Sequence, residues 1–120
     1  MLNNVNLMGR LTDVPEVKST TNGIKVANFT LAINRDYEQK QTDFIEVVAW
    51  RKTAEFAEKY LQKGQLIALN GRIQTRTYED KSGNNRKVTE VLANNLYFTG
   101  KNNDKKQDEE IDVDYEDLPF

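Results

Sequence analysis

The sequence predicts an all-β domain interrupted by a single helix. Three observations carry that expectation. Several runs rich in β-branched and aromatic residues alternate apolar and polar side chains, the two-residue period of half-buried strands. Turn signals separate the runs at Thr12 to Pro15, Thr21 to Gly23 and Asp80 to Asn85. One stretch, from Thr53 to Gly64, switches to the helical period. At 120 residues the chain makes one domain with room for a tail.

The first strand is Val5 to Leu11, with Val5, Leu7, Gly9 and Leu11 on one face and Asn6, Met8 and Arg10 on the other. Pro15 then fixes its own φ and holds Val14 extended, which makes a turn. Glu16 to Thr20 is a candidate short strand, and Asn22-Gly23 marks a hairpin because both residues tolerate positive φ. Ile24 to Arg35 is a long strand with Ala27, Phe29, Leu31 and Ile33 on its apolar face. Asp36 to Gln41 is a polar loop with one ring, Tyr37, which either packs back on the body or reaches a ligand.

Thr42 to Trp50 is the most informative strand. Ile45, Val47 and Ala49 form a core face, while Phe44, Glu46, Val48 and Trp50 share the other. A core rarely buries an unpaired Glu, so this second face is expected to meet solvent. Two rings on a wet face make a platform for flat ligands, of which nucleobases are the commonest. The competing reading is that a helix or another subunit covers the rings.

In the helical stretch, Thr53 is the expected N-cap and Gly64 the expected stop. Ala54, Ala57 and Leu61 form its inner stripe; Phe56 and Tyr60 adjoin it and are expected to pack. Gln65 to Glu79 is the longest strand. Ile67, Leu69, Gly71 and Ile73 face the core, and Ala68, Asn70, Arg72, Gln74, Arg76 and Tyr78 face away. Gly71 in mid-strand implies a bulge or bend. Arg72, Arg76 and Tyr78 place cations beside a ring, an arrangement suited to phosphates and bases; the alternative is an ordinary solvated face. In the last strand, Arg86 to Thr99, the apolar phase shifts between Val91/Ala93 and Leu96/Phe98, which implies a bulge near Asn94-Asn95. Residues 72–91 should form a protruding arm.

Three strands, a helix and two strands is the order of the OB-fold, a five-stranded Greek-key barrel with a helix between strands three and four. The chemistry left open is narrow. The chain has no Cys and no His, which removes thiolate metal sites, disulfides, the usual general base and the commonest metal ligand. No catalytic constellation, cofactor motif or metal motif stands out, so the chain reads as a binder, not an enzyme. Asp112-x-Asp114 lacks the turn glycine and terminal Glu of a calcium loop. No apolar run is long enough for a membrane span, and the N-terminus lacks signal-peptide features, so a cytoplasmic location is expected.

The formal net charge of −2 hides a segregation: residues 1–100 carry about +3 and residues 101–120 about −5. A basic body with an acidic tail recurs among nucleic-acid binders. The expected organisation is a barrel domain over residues 1–100, a disordered charged linker over 101–110 and an acidic tip over 111–120. The tip ends in Leu118-Pro119-Phe120 beside Asp114, Glu116 and Asp117, and a terminal ring among acids suits docking on a basic-rimmed pocket.

These pieces together resemble the bacterial and phage single-stranded DNA-binding proteins of the homotetrameric type. The resemblance runs through Leu7-Met8-Gly9-Arg10-Leu11, Val26-Ala27-Asn28-Phe29-Thr30-Leu31, Val47-Val48-Ala49-Trp50-Arg51-Lys52, Tyr60-Leu61-Gln62-Lys63-Gly64, Gly71-Arg72-Ile73-Gln74-Thr75-Arg76 and the final Asp117-Leu118-Pro119-Phe120. It implies base stacking on Tyr37, Phe44, Trp50 and Tyr78, and phosphate contacts at Lys52 and Arg76. Facing and proximity add Arg35, Arg51, Arg72 and Arg86. It further implies pairing of Asn4, Val5, Asn6, Leu7 and Met8 across a dimer axis. The tip would recruit replication, recombination and repair proteins, at the nucleoid. An RNA-binding module or a protein adaptor remains an open alternative on the residues alone.

Overall fold

The computed structural model describes residues 1–37 and 41–98. Six strands and one helix follow in the order β1 (Val5–Leu11), β2 (Glu16–Ser19), β3 (Lys25–Asn34), β4 (Thr42–Trp50), α1 (Lys52–Tyr60), β5 (Leu66–Glu79) and β6 (Asn85–Phe98). The sheet runs β1-β5-β6-β4-β3-β2, and a further β1–β3 pairing at Arg10–Ala32 and Leu11–Leu31 closes it. The wall is therefore five strands in a ring, with β4 and β6 its parallel pair. This is the expected OB barrel. The short β2 is a sixth strand outside that count, pairing with the first residues of β3. None of the helices among the described residues is long and apolar enough to cross a membrane.

Alternation fills the interior. Leu11, Phe29, Leu31, Val47, Ile67, Leu69, Val91 and Leu96 are buried, and Ala54, Ala57 and Leu61 of the helix stripe close one end. The bulge lies where the phase shift placed it. Asn70 pairs with Asn95 but Gly71 with Ala93, so Asn94 is the extra residue. Gly71 is required there, because a Cβ would sit 2.2 Å from the Leu92 carbonyl oxygen.

Four local expectations are corrected. Thr53 is not the helix cap: the helix starts at Lys52, Arg51 holds the N-cap position, and the Thr53 hydroxyl instead lies 3.4 Å from the Asn94 carbonyl. The β3–β4 bonding runs on to Arg51, whose N–H donates to the Lys25 carbonyl at 2.9 Å, and the positive φ of Arg51 turns the chain into the helix at that residue, two before Thr53. Gly64 does not end the helix; Leu61 is already extended, and Gly64 lies in the following turn, donating to Leu11 at 2.8 Å. Ile73 is exposed, since the β1–β5 pairing stops at Gly71 and the chain beyond belongs to the arm. Val48 is buried although it lies on the platform face, because β3 and β6 flank it through Asn28 and Leu92.

Candidate nucleic-acid interface

Partners across a ladder project to the same side of a sheet. The register thus assembles one face from four strands. Phe44, Glu46, Val48 and Trp50 pair with Ala32, Thr30, Asn28 and Val26 of β3. Val48 pairs with Leu92, and Leu92 with Arg72. Further along the β5–β6 arm, Gln74 faces Glu90, Arg76 faces Val88 and Tyr78 faces Arg86. The arm is closed by a tight turn in which Asp80 Oδ1 accepts from Ser82 and Asn84 N–H, each at 2.9 Å, with Gly83 at φ 82°.

Phe44 is 64% exposed and Trp50 42%. They lie six residues apart on β4, roughly 20 Å at the rise of a strand. Glu46 between them is exposed as expected, and its carboxylate accepts from the Thr30 hydroxyl at 3.0 Å. Tyr37 is wholly exposed beyond the end of β3. Tyr78 is half-exposed on the arm, with the Arg76 guanidinium carbon 5.9 Å from its ring centroid, within cation–π range. None of these four rings contacts another ring among the described residues.

The cations divide. Arg51, Lys52 and Arg72 are exposed and form no ion pair among the described residues. Arg51 sits at φ 58°, ψ −123°, a conformation nearly reserved for glycine, and it carries the chain from the platform strand into the helix. Arg76 Nε donates to both oxygens of Glu90 at 3.3 Å, and Arg86 Nε to Asp80 Oδ2 at 2.9 Å. Arg35 grips Asp43 with two bonds of 3.0 and 3.2 Å. Asp43 precedes Phe44 and so points to the opposite side of β4, which draws Arg35 off the platform face.

Sequence reasoning missed Asp43, Asp80 and Glu90. Glu90 is 4% exposed and is held by Gln74 as well, Nε2 to Oε2 at 2.7 Å. The only signal for it was its parity with Leu92 and Val88, readable once the β5–β6 register is known. The pairs act on the acids: the Arg35 guanidinium holds the Asp43 carboxyl below its usual range, and the Asn84 N–H, then Arg86, then the Ser82 N–H do the same for Asp80. No three metal-ligating side chains cluster among the described residues. The edge of β1 from Val5 to Met8 has β5 on one side only, since β3 joins at Arg10, and Asn4 lies just before the strand. Asp114, Glu116, Asp117, Leu118, Pro119 and Phe120, with the linker, lie outside the described residues.

A closed OB barrel whose open face carries unstacked rings beside cations defines an oligonucleotide-binding class of fold. The chain belongs to the single-strand binding protein family, whose model matches residues 2–99. It is 43% identical to a single-stranded DNA-binding protein of Caldanaerobacter subterraneus, over 99% of this chain and 89% of that one. It is 40% identical to single-stranded DNA-binding protein 2 of Staphylococcus aureus, across the whole of both chains. A third relative, from Halalkalibacterium halodurans, is 51% identical over 82% of this chain and 61% of its own length.

Proposed function

We propose that this chain binds single-stranded DNA irrespective of sequence, coating and protecting it without a chemical step. The observation that carries the reading is the set of four rings, none stacked on another, three on the sheet and arm and Tyr37 at its edge. Every base has a π-face, so stacking on Tyr37, Phe44, Trp50 and Tyr78 contributes about 1–3 kcal/mol per base without reading its edge. Arg51, Lys52, Arg72, Arg76 and Arg86 line the same path, with Arg35 at its margin.

The relatives' names support single-stranded DNA as the ligand. The open, uncharged edge of β1 supports self-association. Residues Asn4 to Met8 expose unpaired backbone groups with no charge to discourage pairing, unlike β2, whose edge carries Glu16 and Lys18. In this reading two chains join through β1, dimers join into a homotetramer, and residues 1–100 form the binding domain. Residues 101–110 tether the tip at 111–120, which recruits replication, recombination and repair proteins and lies over the basic face when DNA is absent. The protein works in the cytoplasm, on the nucleoid.

A fluorescence titration tests the central claim, since Trp50 is the sole tryptophan. Oligo-dT should quench it to saturation, with affinity falling as salt rises, and duplex DNA should not. Saturable oligo-dT binding with unchanged Trp50 emission would remove Trp50 from the site. Equal quenching by oligo-U would favour a general single-strand binder over one matched to DNA.

A further inference from the structure

Counting guanidinium groups on the arm overstates its charge. Of its three arginines on the ring-bearing face, only Arg72 is without a carboxylate partner among the described residues. Arg76 and Arg86 each spend Nε on an acid of the arm itself. The two acids are not casual surface partners. Glu90 is buried and gripped by Gln74, so it cannot swing away when a phosphate arrives. Asp80 is fixed by two backbone N–H groups of the turn. Both pairs engage Nε alone, leaving the terminal nitrogens as donors, and the Arg76 guanidinium is flanked by the Tyr78 ring.

We infer that Glu90 and Asp80 are positioning residues that convert Arg76 and Arg86 from free charges into oriented hydrogen-bond donors. The inference rests on the proposed single-stranded DNA binding and specifies how the arm takes part in it. A guanidinium that keeps its carboxylate is close to neutral as a pair, so it displaces few counterions when it meets a phosphate. Its planar donors still fix where that phosphate sits. Binding on the arm then depends on Tyr78 stacking and donor geometry, with Arg72 supplying most of the salt-sensitive term. The complex should tolerate salt better than its cation count implies.

The test is the slope of log K against log salt for oligo-dT with the full chain. Each phosphate neutralised on a single strand contributes about 0.7 to that slope. Glu90→Gln keeps the side-chain size and an acceptor for Arg76 but removes the charge; its slope should steepen by about 0.7. Asp80→Asn, on an exposed turn with its Oδ1 acceptor retained, should steepen it by a similar amount and covers the case in which the buried variant does not fold. Glu58→Gln, which neutralises an acid on α1 whose partner Lys25 projects to the side of β3 opposite Val26 and the platform, should leave the slope unchanged. Arg72→Gln should flatten the slope by about 0.7. Unchanged slopes in folded Glu90→Gln and Asp80→Asn, or an equal rise in Glu58→Gln, overturn the inference. Failure of the parent chain to bind oligo-dT at any salt would instead sink the proposed function.

Discussion

Two aromatic groups sit on this small barrel, and exposure alone ranks them wrongly. Tyr60 on the helix is 51% exposed, more than Trp50 on the platform at 42%. Yet Tyr60 belongs to a closed set. Its ring centroid is 5.1 Å from Phe56 and 6.2 Å from Phe98, edge-on, and Phe56 meets Phe98 at 5.5 Å. Each ring there already has the tilted neighbours that aromatic pairs favour. Trp50, Phe44, Tyr37 and Tyr78 have none among the described residues. A half-exposed ring is explained by packing when its faces are taken by other rings. Open faces with cations beside them point to a ligand; openness alone does not, since Tyr97 is 45% exposed with no ring neighbour among the described residues.

Substitutions that remove one ring at a time can break this comparison. The largest effect is expected at Phe56, which packs against the core and two rings. Fully buried Phe→Ala changes cost about 3–5 kcal/mol, and this part-buried ring about 2–3. That is a fall in Tm of roughly 10–20 °C for a domain this size, with binding of the folded fraction unchanged. Trp50→Ala and Phe44→Ala should show the reverse: about 5- to 150-fold weaker oligo-dT binding each, from about 1–3 kcal/mol of lost stacking, with Tm nearly unmoved. Tyr60→Ala should cost only about 0.5–1.5 kcal/mol of stability and leave binding alone. If it weakens binding as Trp50→Ala does, the two groups are not distinct in kind.

The same contrast shows how far the sequence could be read. Strand parity was enough to put Phe44 and Trp50 outward and Val47 and Ala49 inward, because period two is a local property. The Asn94 bulge was legible for the same reason: one extra residue flips the parity of everything after it. Phe56 and Tyr60 were legible as packing residues from their i, i+4 spacing. Contacts set by pairing between distant strands were not. Val48 is buried by Asn28 and Leu92, and Ile73 is exposed because β1 ends opposite Gly71. Arg76 and Arg86 read as free cations until the β5–β6 register put Glu90 and Asp80 within their reach. The helix start was misread because the Thr53 signal is local, whereas the Arg51–Lys25 bond that ends β4 is not.

The smallest expected effect separates the two regions by pH. At the far end of β4 and in the arm's turn, Asp43 and Asp80 have carboxyls held below their ordinary value, Asp43 chiefly by its bond to Arg35 and Asp80 chiefly by the Asn84 N–H. A depressed folded pKa means stability that is present above the unfolded value, near 4, and is lost as pH falls through the folded one. On the helix side, Glu58 accepts from Lys25 at 2.6 Å and raises the lysine above its ordinary 10.5. A raised folded pKa means the opposite: stability that is complete below the unfolded value and fades as pH rises through the folded one. All three groups reach solvent in part, so each contribution is modest and screened by salt. A Tm profile should therefore be flat from pH 5 to 9 as far as these pairs are concerned, with an acid limb and an alkaline limb of different origin. Asp43→Asn should soften the acid limb and leave the alkaline one, while Lys25→Gln should do the reverse. A Lys25→Gln chain that loses stability on the acid side as well would mean the helix pair and the Arg35–Asp43 pair are coupled through β3, which carries Lys25 at one end and leads to Arg35 at the other.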